Sequence, residues 1–287
     1  MKAIIVVLLL LLTSCSPQSA AYRDYYAHLQ TPLPNTPATA SPYFVIFLVN
    51  APHLDYTDNK SFLRTMAKHP SNGSKEGDVG HAWIYLHGIR NGACHVIEGG
   101  HSGERGIHQS RYFEGIIQNI ESGCDNPISY LWESQTDGFF QWGNGGHCPT
   151  FAAKLNLTEQ QYEKIVRFIQ YYQFEDYSLI GNQCASFVAQ IAALIDFPVD
   201  CQQTINIGSS LSFRNDSLPL WKDPIYSTIT VSTPDVIERS LVQAVQVGHA
   251  EDVLSWYVEN NKNSFKKREL LLFPCQIERL LIFYFCN

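Results

Sequence analysis

Three side chains in this sequence are of the types, and in the order, that thiol chemistry on a carbonyl group needs. His81 opens the apolar run Gly80-His81-Ala82-Trp83-Ile84-Tyr85-Leu86. Glu98 closes the run Ala93-Cys94-His95-Val96-Ile97-Glu98. Cys184 follows Gly181-Asn182-Gln183 at the start of an apolar stretch that runs to Phe197. A cysteine is a nucleophile only as its thiolate. At the first turn of a helix the dipole and the free amide N–H groups favour that anion, and the same N–H groups can hold a developing oxyanion. An imidazole within hydrogen-bond reach takes the thiol proton near neutral pH. A carboxylate behind the imidazole fixes its tautomer. Each residue also has a plainer reading. Cys184 can be packing in a greasy helix, and His81 can be a satisfied core histidine or a metal ligand. His101, just after Glu98, competes for the third position, and its plainer reading is a solvated loop histidine.

The elements that must carry these groups are read from periodicity. Tyr43 to Asn50 is a continuous β-rich apolar run, a buried strand. A short helix is expected around Ser61–Lys68. The runs from Gly80 and from Ala93 make a hairpin around the turn Gly88–Gly92. Alternation puts His81, Trp83 and Tyr85 on one face and Ala82 and Ile84 on the other. Cys94, Val96 and Glu98 share a face, and His95 points away from them. Residues 99–125 read as a Gly-rich loop, with further strands near Ile128–Glu133 and Gly138–Trp142. Thr158 with Gln161 forms a capping box before a helix striped by Tyr162, Ile165, Val166, Phe168, Ile169 and Tyr172. Asn182 or a neighbour caps the next helix, Cys184–Phe197, and Pro198 stops it. That helix is apolar nearly all round, so it is buried. Residues 198–233 read as irregular, with a β segment near Ile225–Val231. From Pro234 the pattern is helical again, a small cap with weak likeness to one ankyrin-type helix pair.

Composition bounds the function. The chain has 287 residues, a formal net charge of −7, 45% hydrophobic and 16% charged residues, which is globular and mildly acidic. No dense Lys/Arg cluster is available to track phosphates, so no nucleic-acid partner is expected. Met1-Lys2 and the apolar run Ala3–Leu12 form a secretory signal. Leu12-Thr13-Ser14-Cys15 resembles the bacterial lipobox, which implies cleavage before Cys15 and lipid on that residue. The expected organisation is therefore a signal at 1–14, a lipidated Cys15 with a Pro-rich tether at 15–42, a catalytic domain at 43–222 and a helical extension at 223–287. The chain would be exported and held at the bacterial cell envelope through lipid on Cys15. Such a compartment permits disulfides, but seven cysteines beyond Cys15 leave at least one thiol over. The histidines 81, 95, 101 and 108 show no metal-ligand spacing, and no metal or other cofactor is expected. There is no GxSxG elbow and no phosphate loop.

GHAWIYL, then VIE, then NQCASFV resembles the circularly permuted, NlpC-type branch of the papain-like cysteine hydrolases, which includes relatives of lecithin:retinol acyltransferase. The likeness spans roughly residues 43–197. It implies an α+β fold, with an antiparallel sheet of six or fewer strands packed on the helix bearing Cys184. It also implies Cys184 as nucleophile, His81 as base and Glu98 as polar third member, with peptide, peptidoglycan or lipid acyl ester as substrate. Asn182 and Gln183 would lie near the oxyanion. The reading set against it is a non-catalytic, membrane-anchored binding lipoprotein of the same fold.

Overall fold

The computed structural model describes residues 41–68, 70–71, 75–76, 79–103, 108–213 and 216–261. The signal, Cys15, nearly all of the tether, and the chain beyond Asn261, including Cys275 and Cys286, lie outside the described residues.

The chain is α+β, built on one six-stranded antiparallel sheet. In chain order the elements are β1 (Phe44–Asn50), α1 (Asn59–Lys68), β2 (Pro70–Ser71), β3 (Lys75–Glu76), β4 (His81–Arg90), β5 (Ala93–Ser102), α2 (His108–Glu121), a 3-10 turn (Pro127–Trp132), β6 (Phe139–Trp142), β7 (Phe151–Asn156), α3 (Glu159–Tyr171), α4 (Cys184–Leu194), β8 (Gln202–Asn206), β9 (Ser210–Phe213), β10 (Asp216–Pro219), a second 3-10 turn (Pro224–Tyr226), β11 (Thr228–Ser232), α5 (Pro234–Gln246), β12 (Glu251–Asp252) and α6 (Leu254–Asn260). The sheet runs β12-β7-β1-β4-β5-β6, and β8–β11, β9–β10 and β2–β3 form separate two-stranded ribbons.

Every residue of β1 is buried, because both sheet faces are covered. One face carries Val45, Phe47, Val49, Ala82, Ile84, Leu86 and Ile97, against which α3, α4 and α5 pack through Ile165, Val166, Ala185, Phe187, Val188, Ile191, Ile237 and Leu241. The other carries Phe44, Ile46, Leu48, Trp83, Tyr85 and Val96 under Val253 and Tyr257 of the C-terminal segment. The two faces thus differ in texture: mainly aliphatic toward the long helices, aromatic toward α6. The described part of 223–261 packs on the sheet. It gives α5 to the first face, β12 to the sheet edge and α6 to the second.

Several local expectations change. Residues 99–125 are not a loop: β5 continues to Ser102, and α2 follows at His108. Phe113, Ile116, Ile117 and Ile120 have the i, i+3, i+4, i+7 spacing of a helix face. Pro127–Trp132 is a 3-10 turn rather than a strand, with Pro127 in its first turn, where proline's missing N–H costs nothing. β7, unforeseen, lies beside β1 in the middle of the sheet. Its Lys154 is buried but bonds Glu251 at 2.9 Å, tying β12 to the edge. The cap of α4, expected at Asn182 or a neighbour, is Gln183.

Asp235 holds the chain leaving β1. Its carboxylate accepts from His53 N at 2.9 Å, Leu54 N at 2.7 Å and the Tyr56 hydroxyl at 2.8 Å, and it is 1% exposed. Asp235→Ala orphans three donors and is expected to cost about 3 kcal/mol, read as a shift of the urea midpoint at unchanged slope.

Candidate active site

Strand alternation sets the direction of the residues singled out first. His81 lies on the aromatic face, its ring stacked on Trp83 at 5.6 Å and on His147 at 5.0 Å between centroids. A side chain at Gly100, across the ladder, would press on the His81 ring and on Trp83, so glycine leaves that space to the imidazole. Glu98 is on the same face, paired directly opposite Tyr85, and accepts a hydrogen bond from the Tyr257 hydroxyl of α6. Cys184 packs against the aliphatic core on the opposite face. His81 and Glu98 thus have the parity of the aromatic face, while Cys184 packs with the helix-covered core. The helix α4 settles on the face that presents Ala82, Ile84 and Leu86, one residue out of phase with His81.

His101 has the other parity. It follows His95 and Ile97 on the α4 side and meets the helix, fully buried, with its ring edge-on to Phe187 at 6.4 Å. Its Nε2 lies 2.9 Å from the Phe174 carbonyl oxygen, which can only accept, so Nε2 carries the proton. Nδ1 is then a lone pair, 3.3 Å from the Tyr172 hydroxyl. That hydroxyl donates to Asn182 Oδ1 at 2.6 Å, and Asn182 Nδ2 donates to the Asp176 carbonyl at 2.6 Å, which fixes the amide's orientation. Gly138 is required here, since any β-carbon would collide with the Phe174 carbonyl. Burial holds His101 down to about 4, so the imidazole is neutral at pH 7. Burial likewise pushes Tyr172 up to about 12, and the charge of Cys184 is among the smaller causes, which places that sulfur within electrostatic reach of the phenol.

Cys184 opens α4. Its Sγ donates to Gln183 Oε1 at 3.2 Å, and the same oxygen accepts from Ala185 N at 2.6 Å. Gln183 Nε2 donates to the Ser232 carbonyl, and Ser186 completes the capping box. A carbonyl oxygen thus already sits between the thiol and a helix amide. An open pocket of about 320 Å³, lined by Phe168, Tyr171, Tyr172, Gln173 and Asn182, adjoins this network. Sequence reasoning missed Tyr172 as a polar group, because its stripe position reads as core. The arrangement can take a proton at His101 Nδ1 and seat a carbonyl oxygen at the start of α4.

Among the described residues no group of three or more His, Cys, Asp or Glu could hold a metal, and none of Cys94, Cys124, Cys148, Cys184 and Cys201 is in a disulfide. No described helix is long and apolar enough to cross a membrane.

Glu98 and His101 make opposite contributions to stability as pH changes. Burial raises Glu98 to about 7, against lesser lowering by Tyr257 and Trp83. A raised carboxyl stabilises the fold fully below its unfolded value near 4.5 and loses that contribution as pH rises through 7, by about 3 kcal/mol. His101, depressed, stabilises fully above 6.5 and loses its contribution as pH falls through 4. The two partly cancel between pH 4.5 and 6.5. Glu98→Gln, which keeps an acceptor for Tyr257, is expected to be more stable than the parent at pH 8 and to unfold more steeply below pH 6.5, measured by thermal melts across pH.

No known protein family, no curated protein and no solved structure matches this chain.

Proposed function

We propose that this chain is a papain-like, permuted NlpC-type cysteine hydrolase in which Cys184 is the nucleophile and His101, rather than His81, is the base. The observation that carries the reading is the shared face: a thiol on the first turn of a buried helix, and a neutral buried imidazole whose Nδ1 lies 3.3 Å from the Tyr172 hydroxyl, the donor to Asn182, two residues from that thiol. The Cys184 proton passes to His101 Nδ1 as sulfur attacks the carbonyl carbon of an amide, isopeptide or ester. The carbonyl oxygen displaces Gln183 Oε1 from the Ala185 amide, so the helix start stabilises the oxyanion. His101 returns the proton to the leaving group, and water then cleaves the acyl-enzyme. Lipid on Cys15 would hold the enzyme at the cell envelope, within reach of peptide, peptidoglycan and lipid substrates.

The cap itself favours a second reading. Gln183 stabilises the thiol rather than the thiolate and occupies the helix amide, as suits a non-catalytic, membrane-anchored binding lipoprotein in which Cys184 is packing. Iodoacetamide at pH 7 separates the two. The hydrolase alkylates at Cys184 at least about tenfold faster than at Cys124, Cys148 or Cys201, and Cys184→Ala abolishes hydrolysis of p-nitrophenyl butyrate. Equal alkylation together with unchanged hydrolysis supports the binding lipoprotein.

A further inference from the structure

A second thiol–imidazole pair stands away from α4, near the turn end of the β4–β5 hairpin. Cys94 Sγ lies 3.2 Å from His87 Nε2, and His87 Nδ1 lies 2.8 Å from the Pro42 carbonyl oxygen. The carbonyl can only accept, so Nδ1 carries the proton and Nε2 offers its lone pair to the thiol. The ring is held flat on Phe44, 4.7 Å between centroids and 10° between planes. Nucleophile, base and an orienting third group are thus in one line. The approach is open. Cys94 is exposed, the turn residues Asn91 and Gly92 are exposed, and a β-carbon placed on Gly92 would meet nothing within 4 Å.

We propose that Cys94 and His87 form a thiol–disulfide exchange site that takes the disulfide of a small thiol. His87 Nε2 accepts the Cys94 proton as the sulfur attacks one sulfur of R–S–S–R. The R–S–S–R bond breaks, a Cys94–S–S–R bond forms, and the departing thiolate takes the proton from the imidazolium as R–SH. Cys94 is oxidised and the departing half of the disulfide is reduced. Exchange needs only a thiol, a proton acceptor and room for an in-line attack. Acyl transfer needs in addition donors aimed at an oxyanion, and the helix start that offers them lies beside Cys184. Partial burial pushes the Cys94 thiol up, so the sulfur is not ionised in advance and its reactivity depends on the imidazole that receives its proton.

The test uses the whole protein with glutathione disulfide at pH 7.5, following each cysteine-bearing peptide by mass spectrometry. Cys94 is expected to form the mixed disulfide faster than Cys124, Cys148 and Cys201. His87→Gln is expected to slow Cys94 about tenfold, the lower part of the range for general-base assistance, while the alkylation rate of Cys184 stays at its parent value. Cys94 reacting no faster than Cys124 in the parent protein overturns the proposal without any variant. So does an unchanged Cys94 rate in a His87→Gln protein whose melting temperature matches the parent.

Discussion

His101→Gln is expected to lower Cys184-dependent hydrolysis of p-nitrophenyl butyrate by about 10²–10⁴-fold, the range for loss of a general base, whereas His81→Gln leaves kcat within about threefold. The asymmetry follows from the sheet. His101 Nδ1 faces the Tyr172–Asn182 arm beside Cys184, while His81 stacks on Trp83 and His147 with the parity of the aromatic face. Glutamine at 101 can still donate to the Phe174 carbonyl, so the fold keeps that bond and loses the proton acceptor. The loss should fall on kcat rather than KM, because a base acts on the transition state. If His81→Gln proves the more damaging while both variants melt like the parent, the site is on the aromatic face and His101 is structural.

Phe187→Ala is expected to destabilise the protein by about 3–5 kcal/mol, as for other buried Phe→Ala changes, which lowers Tm by about 10 °C for a domain of this size. Phe187 is fully buried on α4, one turn from Cys184. Its ring centroid lies 5.0 Å from that of Tyr172, 5.5 Å from Phe174, 5.9 Å from Phe168 and 6.4 Å from both Phe140 and His101. Few other side chains could close the resulting void, because these neighbours are rigid rings fixed on separate elements. The same cavity would loosen His101 and Tyr172, so activity measured below the new Tm should fall as well. Phe187→Leu keeps most of the volume and should recover most of both losses.

What could be read before the fold was known depended on how local the signal was. β1, the β4–β5 hairpin, the Thr158 capping box and the buried α4 all announce themselves through contiguous patterns. β7 did not, because Lys154 interrupts an otherwise apolar strand, and only a partner 97 residues away, Glu251, explains that burial. The glycines near 99–106 obscured the extension of β5 and the helical spacing of Phe113, Ile116, Ile117 and Ile120. Ile128–Glu133 has the composition of a strand, although Pro127 marks a helical first turn. For the site, alternation correctly grouped His81 with Trp83 and Glu98 with Val96. It could not say which face α4 would cover, since that choice rests on packing between Ala82, Ile84 and Leu86 and a helix about a hundred residues away. The aliphatic character of both surfaces was the available clue.

The central claim is that Cys184 becomes acylated during turnover. Incubating the parent protein with p-nitrophenyl butyrate, quenching in acid and mapping the peptides should give a mass increase of one butyryl group on the peptide carrying Cys184, lost in Cys184→Ala and strongly reduced in His101→Gln. A butyryl group on a different residue, or none on a protein that still hydrolyses the ester, would contradict the account.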